Sequence, residues 1–178
     1  IKLQRLVEVQ DPDTGAVTKT WHDVATVWAN VRYLNGAEML KADTTISAAK
    51  SSIRIRWRED VRAKWRVLKS KTGVAIAAIT QSNPPQVTAV AHGLATGDPV
   101  RFSGVKGMTS LNDVTMVADV TGPDAYALRG VDTSALPVYG GDGLSHAQTI
   151  FNILAPLPDE QGREYVDLAC DTGANDGG

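Results

Sequence analysis

From Ile53 to Arg58 the chain alternates without a break: Ile53, Ile55 and Trp57 face one way and Arg54, Arg56 and Arg58 the other. A period of two is the signature of a strand with one face in a core and one in water. The chain must therefore supply an apolar layer for the isoleucines and a solvated or anionic surrounding for three guanidinium groups spaced about 6.8 Å apart. Arg62 and Arg66, with Lys64, Lys69 and Lys71, extend the positive field, and Glu59 and Asp60 sit at the intervening turn.

Around this strand the sequence reads as strands and turns. Leu3, Leu6 and Val7 stand among polar neighbours in residues 2 to 10, and Asp11-Pro12-Asp13-Thr14-Gly15 supplies a turn before Val17 to Trp21, so a β-hairpin is expected. A strand is expected from Ala25 to Leu34. Asn35 with Glu38 three residues on forms a capping box that opens one short helix through Lys41. Asp43 to Ser51 lacks a period and reads as a mobile loop. A further strand, Trp65 to Leu68, follows the arginines. Thr149 to Leu154 and Tyr165 to Cys170 make a last hairpin around Asp159-Glu160-Gln161-Gly162, and the rest reads as a frayed tail.

Between the last two pieces lies a long interruption. Ser82-Asn83-Pro84-Pro85 breaks the chain. Short strands at 86 to 91, 99 to 104, 113 to 120 and 125 to 129 then alternate with Gly- and Pro-bearing turns, the pattern of a small all-β module. Inserting it in a hairpin costs little, because loop-closure entropy grows only with the logarithm of length. The expected fold is mainly β with one short helix: one domain from residues 1 to 73 and 149 to 171, an inserted small all-β domain at 74 to 148, and a tail at 172 to 178.

The chain has 178 residues, 43% of them hydrophobic and 21% charged, which suits one domain or a small domain carrying a second and excludes a large multidomain enzyme. No apolar run approaches the roughly 18 residues of a membrane span, and the first ten residues do not form a signal-peptide block. A soluble protein made inside a cell, with no membrane contact, is expected. Net charge is −2, yet residues 1 to 71 hold 14 Lys/Arg against 8 Asp/Glu while 72 to 178 hold 4 against 12. Such a bipolar chain suits a polyanion on one face, or stacking against copies with a complementary face.

Motifs for catalysis are weak. Cys170 is the single cysteine and reads as a buried small hydrophobe, so disulfide and zinc chemistry are not expected. His22, His92 and His146 lack metal-ligand spacing, and no metal or other cofactor is expected. A hydrolase using His22 or His92 with a nearby Asp is one alternative. However, His22 and Asp23 as strand neighbours point to opposite faces, and His92 before Gly93 reads as a turn cap. Gly104-Val105-Lys106-Gly107 lacks the ending and helix of a phosphate loop. No catalytic residue is assigned. The arginine face admits three readings: a solvated surface, a carboxylate-bearing protein partner, or a sequence-independent, salt-sensitive contact with DNA phosphates.

The order of Ile1-Lys2-Leu3-Gln4-Arg5, Asp13-Thr14-Gly15, Thr20-Trp21-His22-Asp23-Val24, Val27-Trp28-Ala29-Asn30-Val31, Leu34-Asn35-Gly36-Ala37-Glu38, the Ile53 to Arg58 strand, Phe151-Asn152-Ile153 and Asp167-Leu168-Ala169-Cys170 resembles the head-tail joining proteins of tailed bacteriophages, also called head-closure or stopper proteins. The resemblance implies a small β-barrel with one short helix over residues 1 to 73 and 149 to 171, and a structural virion protein made in the host bacterial cytoplasm. It would form a homo-oligomeric ring, commonly of twelve subunits, that closes the DNA-filled head, forms part of the DNA channel and offers the tail a docking surface. Implied partners are portal and adaptor proteins, tail terminator or tail tube proteins, and genomic DNA in non-specific contact. Arg54, Arg56, Arg58, Arg62 and Arg66 would then form an intersubunit or channel-facing basic face. In the interruption, Pro85-Gln86-Val87-Thr88, Ala91-His92-Gly93-Leu94, Thr96-Gly97-Asp98-Pro99-Val100 and Ala127-Leu128-Arg129-Gly130-Val131-Asp132 resemble the FCCH-like domain of ubiquitin-activating enzymes, without their catalytic apparatus. The resemblance places this module outward on the ring. A competing expectation is a carbohydrate- or host-surface-binding protein acting through the module, with Tyr126 and Tyr139 as exposed aromatics.

Overall fold

The computed structural model of the chain describes residues 1–12, 14–33 and 50–172. Thirteen strands and one 3-10 turn, Thr109–Leu111, make up its regular structure. The expected helix at 35 to 41, the loop from 43 and the tail beyond Thr172 lie outside the described residues. The chain divides into two compact units, one formed by Ile1–Lys69 with Ile150–Gly178 and the other by Ser70–Thr149.

The first unit opens on the expected hairpin: β1 (Lys2–Gln10) and β2 (Val17–Thr26) pair antiparallel out to Gln10↔Val17. The turn closes through Asp11, whose carbonyl accepts from Gly15 N–H and whose carboxylate accepts from Thr14 N–H, and Gly15 takes φ +70°. β3 (Ala29–Tyr33) follows separately, where one strand was expected from Ala25. The break has a local cause, since Val27 exchanges hydrogen bonds with Ile1 and ends the ladder there. β4 (Ser51–Arg56) and β5 (Arg66–Ser70) come next. β12 (Leu144–Pro158) and β13 (Tyr165–Thr172) form the closing hairpin, with a register shift between Ile153 and Ala155.

Strands of this unit run in the spatial order β2-β1-β5-β12-β13-β4-β3. Among the described residues nothing pairs β3 with β2, so the sheet is open where a small closed barrel was expected. One face holds the core: Leu3, Ile53, Ile55, Val61, Val67, Phe151, Ile153, Val166, Leu168 and Cys170, with Val27, Ala29 and Val31 packed against it.

The second unit takes the first residues of β12, Leu144 to Ala147, between β6 (Val74–Ala75) and β9 (Pro99–Ser103). Beyond β9 come β10 (Thr115–Gly122), β11 (Ala125–Arg129), β8 (Gln86–Thr88) and β7 (Ala78–Ile79). β6 and β7 are successive pieces of one segment, which bonds to Gly143 through Ile76 N–H and to Thr88 through Ala77 N–H. β8 is shorter than expected because Ala89 and Ala91 turn their N–H groups to Asp124 and Ala91 takes φ +52°. Its core is its own, built on Val87, Val100, Phe102, Met108, Ala118, Tyr126 and Leu128.

One glycine in this unit has no substitute. Gly107 sits at φ +77°, and a Cβ there would lie 2.0 Å from the Val138 carbonyl oxygen. Gly97 has φ +97° but nothing within 4 Å. Gly107→Ala is expected to cost at least about 2 kcal/mol and Gly97→Ala about 1 kcal/mol in urea unfolding followed by circular dichroism. Equal effects would show that the close approach at Gly107 is absent.

Candidate functional site

The arginine strand is β4, and its burial alternates as the sequence demands: Ser51, Ile53 and Ile55 are buried, Arg54 and Arg56 exposed. β4 lies between β13 and β3, which places Asp167 and Asn30 directly across from Arg54, and Tyr165 across from Arg56. Arg54 grips Asp167 with both arms of its fork, Nε to Oδ1 at 2.8 Å and Nη2 to Oδ2 at 2.7 Å, and its guanidinium centre stands 3.9 Å from the Tyr165 ring centroid. The hydrogen bonds that Arg54 donates to Asp167 raise its pKa above the ordinary value.

The five expected basic residues do not share one surface. Arg58 lies beyond the strand and folds onto Asp60, at 2.9 and 2.7 Å, which holds that carboxyl below the usual range. Arg62 turns back on its own loop, donating to the Val61 and Glu59 carbonyls. Arg66 is the buried member of the five. It donates from Nε to Gln4 Oε1 at 2.7 Å and places its guanidinium 4.1 Å from the Trp21 ring centroid. Alternation on β5 turns Val67 to the core and Arg66 to the other face, where Gln4 of β1 lies across from it and the Trp21 ring of β2 covers it. Arg56 alone of the five is exposed and without a partner among the described residues.

Beside Arg56 stands a residue not singled out from the sequence. Trp28 is 96% exposed, and with Ala29, Asn30, Arg54, Arg56, Glu164 and Tyr165 it lines an open groove. A second shallow groove continues through Asn30, Arg32, Ser52, Arg54 and Asp167. A signal existed: Val27, Ala29 and Val31 pack the core, so alternation sends Trp28, Asn30 and Arg32 outward. Tryptophan, tyrosine and arginine are the residue types that dominate binding energy in protein interfaces. Among the described residues the groove sets an exposed indole beside two arginines and lacks the base, nucleophile or donor pair of an acyl- or phosphoryl-transfer site.

Charge is redistributed by folding. Residues 150 to 178 bring six acids into the first unit, which then carries 14 Lys/Arg and 14 Asp/Glu, while the second carries 4 and 6. The bipolar pattern along the chain is therefore largely cancelled in space, and Arg54 with Asp167 is the clearest instance.

The remaining candidates are structural. His22 meets Thr20 Oγ1 at 3.1 Å, while Asp23 turns to Lys2 and Gln4. His92 caps its turn, with Nδ1 accepting from Leu94 N–H at 3.0 Å and Nε2 meeting the Gly122 carbonyl. Tyr126, expected exposed, is fully buried with its hydroxyl 2.6 Å from Ser145 Oγ. Tyr139 is half-buried and donates to the Ile76 carbonyl at 2.7 Å. The glycan-binding expectation thus loses its aromatic platform. Cys170 is buried among apolar side chains, which pushes its thiol up to about 12. Among the described residues no group of three His, Cys, Asp or Glu side chains is placed to hold a metal ion, and no helix is long and apolar enough to cross a membrane.

Comparison with known proteins bears on both units. Residues 1–84 match the family Phage head completion protein, and residues 82–148 match the Ubiquitin-activating enzyme E1 FCCH domain. No curated protein matches the chain. The resemblance read from the sequence is thereby found independently, with the FCCH-like module in the place expected for it. Head completion proteins are structural virion proteins and the FCCH domain is non-catalytic, so neither match brings an enzymatic activity. The head completion match supports a structural role in closing a phage head, in company with other head and tail proteins.

Arg66 and Arg56 give opposite expectations. Arg66→Ala leaves Gln4 without its donor and uncovers Trp21, and should cost about 2 to 3 kcal/mol, whereas Arg56→Ala should stay within about 0.5 kcal/mol. Urea denaturation of the two variants checks this, and equal losses would contradict the division between anchor and surface.

Proposed function

We propose that the chain is a building block of the connector between a phage's DNA-filled head and its tail. Copies assemble side by side into a ring, with twelve as the expected number, that closes the head after packaging. The ring contributes to the channel through which DNA leaves and gives the tail its docking surface. Its neighbours in the particle are the portal or adaptor on one side and the tail terminator or tail tube on the other. The first unit is the joining domain, split by the module at 74 to 148. The match of residues 1–84 to head completion proteins is the observation that carries this reading.

The surface chemistry supports it. A groove that shows Trp28, Tyr165 and an Arg56 without a partner among the described residues has the composition of an interface core. In this reading the contact-bearing basic residues are Arg54 and Arg56, and Arg58 and Arg62 border them through their own local partners. Any contact with DNA would be made with phosphates, and would weaken as salt rises.

Phage deleted for the protein should package DNA into heads that then lose it and fail to join tails, and supplying the wild-type chain should restore infectivity. Supplying a chain with Trp28→Ser and Arg56→Glu together should restore at least about 30-fold less, the effect of removing one interface anchor. Both positions are exposed, so the folded state should be kept. Full infectivity of the deleted phage would refute the proposal.

A further inference from the structure

The β1–β2 hairpin is longer than the sheet that carries it. Its ladder runs to Gln10↔Val17, but β5 accompanies β1 only along Lys2, Leu3 and Gln4. From Arg5 outward no third strand pairs with it among the described residues. An isolated two-stranded ribbon is marginal in water, and this one shows Val9 at 57% and Val17 at 53% exposure. Its root, by contrast, is firmly held. Arg66 stacks on Trp21 and bonds to Gln4, and Asp23 receives Gln4 and Lys2, the latter at 3.0 Å. The hairpin is a stiffly rooted arm with a wet apolar end.

The same unit holds a complementary surface. β3 pairs with β4 on one side only, leaving its other backbone edge open among the described residues. On the outward face beside that edge stand Trp28 and, on the neighbouring strand, Arg56. The two surfaces match in charge as well. Residues 8 to 19 of the arm carry Glu8 and Asp11 against Lys19, whereas the β3 surface carries Arg32, Arg54 and Arg56 against Asp167 and Glu164.

We infer that the arm of one copy lies along the β3 edge of a second copy, its Val17 covering Trp28 and its acidic end facing Arg56. Main-chain pairing between two open edges supplies affinity, and the valine-indole and acid-guanidinium matches set the register. A second copy is the occupant because one chain supplies both halves of the contact. The halves differ, so the contact is heterologous and repeats head to tail, closing into a ring where the rotation allows. This inference rests on the assembly reading above and names the segment that carries it.

Two single variants test it, Val17→Cys and Trp28→Cys, supplied together to phage deleted for the protein, with particles then purified and oxidised. Cys170 is buried with a raised thiol pKa and stays out of the exchange. The expected result is a disulfide-linked pair of chains in mixed particles, and none in particles built from either variant alone. Lys19→Cys, on the same face of the arm as Val17, serves in its place if Val17→Cys is not incorporated. Particles holding several copies of both variants without a cross-link, or with the arm cysteine joined to a different protein, would overturn the arm while leaving the proposed function standing. Particles holding one copy or none would overturn both.

Discussion

The first unit depends on β13 lying in register against β4. Six residue pairs, from Arg56↔Tyr165 to Ser51↔Cys170, join segments more than a hundred residues apart and set Ile53 and Ile55 beside Val166 and Leu168 in one core. Without that return, β4 and β3 would be a two-stranded piece with an exposed isoleucine face, which is not stable alone. The same pairing decides the electrostatics. It lays Asp167 across from Arg54 and turns a repelling row of cations into a forked ion pair, leaving Arg56 as the unneutralised member. In water such a pair contributes little to stability, so its importance is the surface that it shapes.

Because the two halves of this unit are joined by their own ladder, the chain between them is free to be long. The second unit uses that freedom to build a separate core around Phe102, Met108 and Tyr126. A ligand-binding module of the aromatic-platform kind would leave its rings in solvent. Here the rings are spent on packing, and their hydroxyls on Ser145 and on backbone carbonyls.

Much of this was legible in the sequence, and the reasons are local. The turn at Asp11 to Gly15, the alternation from Ile53 to Arg56 and the closing hairpin each follow from rules that act within ten residues. So do the capping role of His92 and the burial of Cys170. What could not be read depends on distant partners. Arg66 resembles its neighbours in sequence but is claimed by Gln4 and Trp21, and Arg54 finds its acid 113 residues away. Summing charge along the chain suggested opposite faces, while pairing across the sheet brought the acids back among the bases. Trp28 was legible and overlooked, since alternation with Val27 and Ala29 already pointed it outward.

The account as a whole claims that the surfaces of this protein exist to meet other proteins of a phage particle. An image reconstruction of the junction between head and tail at side-chain resolution tests that claim most directly. The account predicts repeated copies of the first unit around the axis of the particle, with Trp28 and Arg56 buried in contacts. Density for the junction that is fully explained by other proteins, or copies whose Trp28 and Arg56 remain in solvent, would contradict it.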